Sequence, residues 1–228
     1  MIGLISDIHG NVAALDAVLA RLDSMGVRDI CCLGDVAGYY SEVNECCAKL
    51  RARNIPTIMG NHDWYLTSGS PCERSQSAND CLAHQHSVIE PAHREWLAGL
   101  PREMTVDGLH LIHGGWKDAL EEYLEPSDTY FEALQGRFFA SGHLHVQYVW
   151  TGTLATYCNP GSVGQPRDGD PRAAFATWDG DQFQLHRVTY DIDKTSAAMR
   201  AAGFNPYYYE NLYVGTRIGG KLSRRPGG

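Results

Sequence analysis

Short apolar runs and amphipathic stretches alternate over the first part of the chain, as in proteins built from β-loop-α units. Residues 1–6 form an apolar run of strand length, and residues 12–25 carry apolar side chains at helical spacing. The succession repeats with a strand predicted over residues 29–33, a helix over 42–53 and a third strand over 55–59. Because open α/β sheets place ligands beyond the carboxyl ends of their strands, we expect the polar residues after these three strands to converge.

The middle of the chain has a different pattern. Residues 73–100 are helical in composition, are interrupted by Pro91, and predict a helical excursion beside the strand ends. Asp107-Gly108 then separates two short apolar runs, residues 103–106 and 109–112. An Asp-Gly pair between such runs is a strong signal for a two-residue turn, so we expect a β-hairpin here.

Strands dominate the pattern after the hairpin. A short strand is predicted over residues 137–140, and alternating or apolar segments between Gly-rich turns fill residues 146–188. These segments imply a second sheet, and two stacked sheets with helices outside them are the expected architecture. We expect one domain over residues 1–214 and a flexible, basic, Gly-rich tail over residues 215–228.

Composition narrows the class of protein. The chain has 228 residues, 43% of them hydrophobic, which is enough to bury a substantial core. Its formal net charge of −8 argues against a partner such as long nucleic acid, which is held by neutralising many phosphates with Lys and Arg. No apolar run approaches the roughly 20 residues that span a bilayer, so no membrane partner is expected. A phosphate-bearing substrate would have to be attracted locally, by metal ions.

Cysteine usage favours a reducing compartment. The chain has seven Cys, an odd number, without zinc-type spacing or the density of a disulfide scaffold. The first residues enter the first predicted strand directly, without the charged and apolar segments of a signal peptide. We therefore expect buried thiols and a cytoplasmic protein.

Five short motifs place carboxylate, amide and imidazole groups after apolar runs. They are Asp7-Ile8-His9, Gly34-Asp35, Gly60-Asn61-His62-Asp63, His113-Gly114 and Gly142-His143-Leu144-His145. Imidazole combined with hard oxygen donors suits divalent ions such as Mn, Fe, Zn or Co, and no Cys falls within the motifs. Each motif alone is weak, but all five follow strand-like runs and so share one expected edge. Together they predict a two-metal phosphoesterase site.

Two details of the motifs bear on how such a pair of ions would be held. Asp35 is the best candidate for a bridging carboxylate, because Gly34 lets the backbone come close and Asp35 lies at a strand end. His143 and His145 are two residues apart, which puts both imidazoles on one side of an extended segment.

The motif series resembles the calcineurin-like metallophosphoesterase superfamily. The run from Asn159 to Arg167 resembles its small bacterial and archaeal phosphodiesterase branch. The resemblance covers about residues 1–190 and implies an α/β fold, a four-layer αββα sandwich of two mixed β-sheets flanked by helices.

The resemblance also implies a role for each motif residue. It assigns one metal ion to Asp7, His9, Asp35 and His145, and the other to Asp35, Asn61, His113 and His143, with Asp35 bridging. His62 would be catalytic, facing the substrate to stabilise the transition state or to protonate the leaving oxygen. Asp63 would orient a neighbouring ligand. The cofactors would be two divalent ions, with manganese expected ahead of iron, nickel, zinc, cobalt or magnesium.

The expected function is hydrolysis of phosphoric esters by attack of a metal-bound hydroxide, most of all as a phosphodiesterase acting on a small diester or nucleotide. A phosphomonoesterase or a dinucleoside polyphosphate hydrolase would use the same metals. The run after Gly34-Asp35 lacks the second Asp and the Arg of the protein phosphatases, which disfavours that activity, and Gly38 replaces the Tyr of purple acid phosphatases. A non-catalytic scaffold on this fold is the alternative from another class, and intact ligands count against it.

Three further residues are candidates for substrate binding. Tyr39 would line the cleft or stack on a base, with packing on the following helix as the alternative. Ser162 and Arg167 would contact a substrate phosphate if their loop reaches the site. A wholly structural role for the segment from Asn159 to Arg167 is the alternative. The sequence predicts no oligomeric state.

Overall fold

Two mixed β-sheets of four and five strands pack face to face in the computed structural model, which describes residues 1–225. The helices are α1 (Val12–Ser24), α2 (Val43–Ala52), α3 (Asn61–Ser68), α4 (Gln76–Val88), α5 (Pro91–Ala98), α6 (Asp128–Phe131) and α7 (Ile192–Ala201). The strands are β1 (Ile2–Ile5), β2 (Asp29–Cys32), β3 (Glu103–Val106), β4 (Leu109–Ile112), β5 (Phe138–Ser141), β6 (Tyr148–Thr151), β7 (Thr156–Asn159), β8 (Ala173–Trp178) and β9 (Phe183–Val188). Two 3-10 turns, Pro206–Tyr208 and Glu210–Val214, follow α7.

The strand order brings distant segments of the chain side by side. In the first sheet the order is β2-β1-β8-β9, with β1 parallel to β2 and antiparallel to β8. In the second sheet the order is β3-β4-β5-β7-β6, with β4, β5 and β7 parallel. The antiparallel strands β3 and β6 form the edges of the second sheet. The parallel pair β1–β2 of the first sheet and the parallel strands β4, β5 and β7 of the second have their carboxyl ends available for loops that carry polar side chains.

Three buried clusters define four layers. Leu4 of the first sheet and Leu111 of the second belong to one cluster between the sheets. A larger cluster joins Phe175 and other residues on the outer face of the first sheet to α1, α2 and α7. A third packs Phe131 of α6 against Phe139 of the second sheet. These layers confirm the predicted αββα sandwich.

The hairpin and the helical excursion agree with the sequence pattern. The strands of the hairpin, β3 and β4, have the predicted bounds, and Asp107 and Gly108 both have positive φ. The excursion contains α4 and α5, and Pro91 begins α5, where the missing N–H costs nothing. The strand predicted over residues 55–59 is reduced to a bridge between Cys32 and Thr57. Its neighbour Pro56 has no N–H to extend the ladder.

Strands between residues 146 and 188 serve both sheets. β6 and β7 complete the second sheet, whereas β8 and β9 return to the first. The crossing is made by the segment between β7 and β8, where Val163 N donates to Ser6 O at 2.9 Å and Ala174 N donates to Ser162 O at 3.0 Å. The sequence pattern did not predict this division, nor the helices α3, α6 and α7.

The C-terminal segment makes specific contacts with the rest of the protein. Thr216 is buried, Ser223 N donates to Arg167 O at 2.8 Å, and Arg217 lies along a cleft described below. The domain boundary at residue 214 and the flexibility of the tail stay predictions. Residues 226–228 of that predicted tail lie outside the described residues.

Two further observations bear on the expected location. All seven cysteines are buried free thiols, as predicted. Over residues 1–225, none of the helices has both the length and the apolar character needed to cross a membrane. The cytoplasmic location stays a prediction.

We expect Leu4→Ala to lower the free energy of unfolding by about 2–5 kcal/mol, because Leu4 is fully buried between the two sheets and its truncation leaves a cavity. Urea denaturation measures the change. The control is Leu185→Ala on β9, where the side chain is 39% exposed and the expected cost is below about 1 kcal/mol. Equal losses for the two variants would contradict the packing of Leu4 between the sheets.

Candidate metal centre

Loops after four strands meet at one edge of the two sheets. Asp7 and His9 follow β1, and Asp35 follows β2. Their backbones are joined directly, since Asp7 N donates to Gly34 O and His9 N donates to Asp35 O, both at 3.0 Å. On the second sheet, His113 follows β4, and His143 and His145 follow β5. The predicted convergence of the motifs is therefore present.

The approach of two loops in this site requires glycine. Gly34 has φ of +92°, and a Cβ there would lie 2.5 Å from Gly60 N. A Cβ on Gly60 would lie 2.1 Å from Asp35 Oδ1. Any side chain at either position would push the Asp35 loop away from the start of α3.

Unusual backbone conformations concentrate in this site. Within residues 1–225, eight non-glycine residues have positive φ. Six of them lie here, namely Asp7, His9, Asp35, Tyr39, His143 and His145. Such conformations cost free energy and persist where the surroundings enforce them, which is typical of functional sites.

The first group of candidate ligands is Asp7, His9, Asp35 and His145, whose donor atoms lie within 4.8 Å of one another. His9 Nδ1 lies 2.7 Å from Ala37 O, and His145 Nδ1 lies 2.7 Å from Gln165 O. A carbonyl only accepts, so each ring carries its proton on Nδ1 and keeps a lone pair on Nε2. These two Nε2 atoms face each other at 3.1 Å.

The second group is Asp35, His113 and His143, with Asn61 beside it. His113 Nδ1 donates to Leu33 O at 2.8 Å, which leaves Nε2 as the ring nitrogen that faces this group. That Nε2 lies 3.0 Å from Asn61 Oδ1, which has only lone pairs to offer. His143 Nε2 is buried without a hydrogen-bond partner. The second group therefore also turns lone pairs toward a common point.

Asp35 belongs to both groups. Its Oδ2 lies 3.6 Å from His9 Nε2 on one side and 3.5 Å from His113 Nε2 on the other. Asp35 Oδ2 has no hydrogen-bond partner, while Oδ1 accepts from His62 N at 2.8 Å. One oxygen is thus fixed by the backbone and the other is free between the two groups of donors.

Burial favours the neutral form of four imidazoles in this site. It lowers the pKa of His9, His62 and His143 well below the ordinary value, and that of His145 to about 4. Neutral imidazole is the form that binds a metal ion. Burial, together with the carboxylates of Asp7 and Asp63, raises the pKa of Asp35 well above its ordinary value, and the Arg167 guanidinium offsets this only in part.

The donor set fits a pair of divalent cations. Asp7 Oδ1, Asp35 Oδ2 and His143 Nε2 are buried polar atoms without partners. Leaving such atoms unpaired is costly, and a cation on each side of Asp35 would satisfy all of them. Carboxylate, amide and imidazole donors suit borderline and hard divalent ions.

Asp63 belongs to neither group of candidate ligands and instead joins the loops through backbone hydrogen bonds. Its Oδ2 accepts from Asp35 N at 2.9 Å and from Gly60 N at 3.0 Å, and its Oδ1 accepts from Ala37 N at 2.9 Å. Both oxygens are used, so this carboxylate has the position expected of a residue that orients a neighbouring ligand.

His62 lies beside both groups and belongs to neither. Its ring packs edge-on against His9, with centroids 4.9 Å apart, and lines the cleft in front of the donors. Its Nδ1 is buried without a partner. His62 is therefore accessible from the cleft, and its role toward a substrate stays a prediction.

The three candidate substrate residues have different surroundings. Tyr39 and Arg167 line the cleft, with the Arg167 guanidinium carbon 5.2 Å from the centroid of the Tyr39 ring. Ser162 is fully buried away from it. Its hydroxyl donates to Asp7 O and accepts from Gln165 N, both at 2.7 Å. Because both interactions hold the loops in place, we assign Ser162 a structural role and withdraw it as a substrate contact.

The cleft in front of the donors has a volume of about 430 Å³. The sequence motifs did not identify several residues that line it, which come from three segments outside the motifs: Arg74, Ser75, Ser77, Glu121, Tyr123, Tyr207, Arg217 and Lys221. These residues form no spacing pattern in the sequence. Arg217 and Lys221 were noticed there only as basic residues of the predicted tail.

Gln85 of α4 is another residue that the motifs did not reveal. Gly38 N donates to Gln85 Oε1 at 2.7 Å, and Gln85 Nε2 donates to Gly38 O at 2.9 Å. This pair of hydrogen bonds fixes the loop that carries Tyr39. The available signal was a polar side chain on the apolar face of a predicted helix.

Comparison with known proteins agrees with this geometry. Residues 1–182 match the model of the calcineurin-like phosphoesterase superfamily domain. The uncharacterized protein MJ0912 of Methanocaldococcus jannaschii is 32% identical over 240 residues, which cover 94% of this chain and 98% of that protein. The crystal structure of a metallophosphoesterase from Sphaerobacter thermophilus is similar, with a TM-score of 0.81 at 32% identity over 94% of this chain and 98% of that one. Hypothetical protein PH1004 from Pyrococcus horikoshii OT3 shares the fold, with a TM-score of 0.85 at 18% identity over 95% of this chain and all of that one (100%).

We expect Asp35→Asn to lose metal from both positions, because Asp35 Oδ2 lies between the two groups of donors. The wild type should hold about two ions per chain after dialysis against manganese, and Asp35→Asn fewer than about one. Elemental analysis of the dialysed protein measures the content.

His143→Ala should lose one ion of the pair, and the exposed carboxylate variant Asp16→Asn should lose none. Retention of both ions by Asp35→Asn would contradict a bridging role.

Proposed function

The chain belongs to the calcineurin-like phosphoesterase superfamily, and from that premise we propose that it is a phosphodiesterase acting on a small diester or nucleotide. The family depends on dinuclear metal centres, and the chain is a metal-dependent phosphoesterase. The diester preference, the metal and the residue roles below belong to the proposal.

One observation carries the proposal. The unpartnered Asp35 Oδ2 lies between His9 Nε2 and His113 Nε2, at 3.6 and 3.5 Å, in a buried set of lone-pair donors. Two divalent ions held there would polarise a phosphoryl group and lower the pKa of a water molecule. We propose the set Asp7, His9, Asp35, Asn61, His113, His143 and His145 as ligands, and manganese as the metal.

His62 acts on the substrate side in this proposal. Its buried Nδ1 has no partner, and its backbone N–H is held by Asp35 Oδ1 at 2.8 Å. The ring is therefore fixed relative to the bridging carboxylate while one nitrogen stays free. We assign it to stabilise the transition state or to protonate the leaving oxygen.

Arg167 supplies a cation for the substrate phosphate. The side chain is 5% exposed, and its Nε and Nη2 donate to Gln165 Oε1 at 2.8 and 2.6 Å. Within residues 1–225, Arg167 has no carboxylate at ion-pairing distance, so its charge is not neutralised by the protein. An Arg fixed in this way is suited to grip a phosphate, the task left open by the missing Arg after Gly34-Asp35.

Metal-stripped protein should be inactive and should regain hydrolysis of bis-p-nitrophenyl phosphate when manganese is added, because the metal ions are the proposed means of activating the attacking water. Parallel additions of nickel, zinc and magnesium rank the metals, and release of p-nitrophenolate measures the rate. The matched monoester, p-nitrophenyl phosphate, should be cleaved more slowly.

If the monoester is cleaved faster than the diester, the protein is a phosphomonoesterase and the proposed diester preference is wrong. Absence of turnover with every metal and both esters would favour the non-catalytic scaffold. Cleavage of dinucleoside polyphosphates in preference to both esters would favour a hydrolase of that class.

We expect His62→Gln to keep the metal content and to lower kcat by roughly 10²–10⁴-fold, the usual contribution of a positioned acid–base group. Metal content and kcat for bis-p-nitrophenyl phosphate are measured on the same preparation. The control His84→Gln replaces an imidazole on α4 outside the cleft and should leave both unchanged. Loss of metal from His62→Gln would make His62 a ligand.

A further inference from the structure

The cleft in front of the metal centre has a local charge opposite to that of the protein. Four cationic side chains line it: Arg74, Arg167, Arg217 and Lys221. In the described part of the chain, Asp35 and Glu121 are the carboxylates that line it. The whole protein has a formal net charge of −8, so this cleft is a positive region on an acidic molecule. A cleft of that kind concentrates anions.

The C-terminal segment is held in place at the cleft by hydrogen bonds. Arg217 N donates to Lys221 O, and Gly220 N donates to Arg217 O, both at 2.9 Å, which closes a tight turn. Arg217 Nε donates to Ser223 Oγ at 3.0 Å, and Ser223 N donates to Arg167 O at 2.8 Å. The turn that carries Arg217 and Lys221 is thus attached to the segment between β7 and β8, which carries Arg167.

Some of the other cations of this protein form an ion pair with a carboxylate. Ion pairs join Arg74 to Glu121, Lys49 to Asp16, Arg53 to Asp23, Arg172 to Asp170 and Arg187 to Asp168. Considering residues 1–225, neither Arg217 nor Lys221 has such a partner. They are also remote in sequence from the metal-binding motifs, so metal binding does not explain their place on the cleft.

We infer that the substrate is a nucleotide whose sugar carries a second phosphate group in addition to the scissile one, and that Arg217 and Lys221 bind that second group. The inference rests on the proposed function, which puts the scissile phosphate between the metal centre and Arg167. Both cationic sites share one cleft of about 430 Å³, a volume suited to a ligand of nucleotide size. Tyr123 and Tyr207 also line the cleft and offer aromatic faces to a base.

Two chromogenic esters that differ only in the second phosphate group measure the effect of that group on the rate of hydrolysis. Thymidine 5′-(p-nitrophenyl phosphate) and its 3′-phosphorylated derivative share the scissile bond, the leaving group and the nucleoside. Wild-type protein with manganese should show a kcat/KM at least about tenfold higher for the 3′-phosphorylated ester, the effect of a charge-assisted contact. In the variant R217Q/K221Q, this ratio should fall toward one.

Two controls distinguish a bound phosphate from a structural effect. The charge-preserving variant R217K/K221R should keep most of the preference. Arg225→Gln removes a charge from the same terminal segment, but Arg225 contacts Val149 O and the ring of Tyr148, away from the cleft, so it should leave the ratio unchanged. Lys221→Gln alone should already reduce the ratio, and its side chain makes no hydrogen bond within residues 1–225.

The outcomes separate this inference from the proposed function. Equal kcat/KM for the two thymidine esters would overturn the inference and leave the phosphodiesterase standing. A preference that survives in R217Q/K221Q would likewise overturn it, since the second phosphate would then bind elsewhere. Failure to cleave both thymidine esters and bis-p-nitrophenyl phosphate with any metal would overturn the proposed function.

Discussion

Lone pairs that face one another inside the protein impose the constraint on which this structure depends. His9 and His145 place their unprotonated Nε2 atoms 3.1 Å apart, and Asp35 Oδ2 lies beside them without a partner. Burial of such a set is unfavourable unless positive charge enters it. The positive φ angles in this site and the glycine contacts that admit Asp35 are the backbone cost of holding these atoms together. The strained backbone costs free energy, and it places these donor atoms where a cation could bind.

Other polar side chains hold the loops that carry these atoms. They do so through hydrogen bonds to the backbone of those loops. Asp63 accepts three backbone N–H groups, and Ser162 bridges Asp7 O and Gln165 N. Gln85 fixes Gly38 from the helical excursion. Each of these residues connects segments that are distant along the chain, so ligand positions depend on the whole assembly of loops. A change in one supporting side chain is therefore expected to move several ligands at once.

The sequence was sufficient for those features that local chemistry determines. The hairpin follows from Asp107-Gly108, and the clustering of the candidate donors follows from their placement after apolar runs. The strand predicted over residues 55–59 is only a bridge, because Pro56 has no N–H to donate to a ladder. The sequence did not predict α3, because its first turn is formed by the motif residues Asn61, His62 and Asp63, which were interpreted as candidate site residues. The division of β6 to β9 between two sheets depends on long-range pairing, which no local pattern records. The choice between a substrate contact and a structural role for Ser162 stayed open in the sequence for the same reason, since its partners are distant along the chain.

The proposed metal centre and the proposed recognition surface come from different parts of the chain. Every proposed ligand lies in a loop after a strand or at the start of α3, where the two sheets fix its position. The walls of the cleft come from the excursion, from the loop that holds Glu121 and Tyr123, and from the C-terminal turn. Segments outside the sheets tolerate change more readily than sheet ends do. The same centre can therefore serve different phosphate esters when these three segments alone differ, and substrate choice is best sought in their side chains.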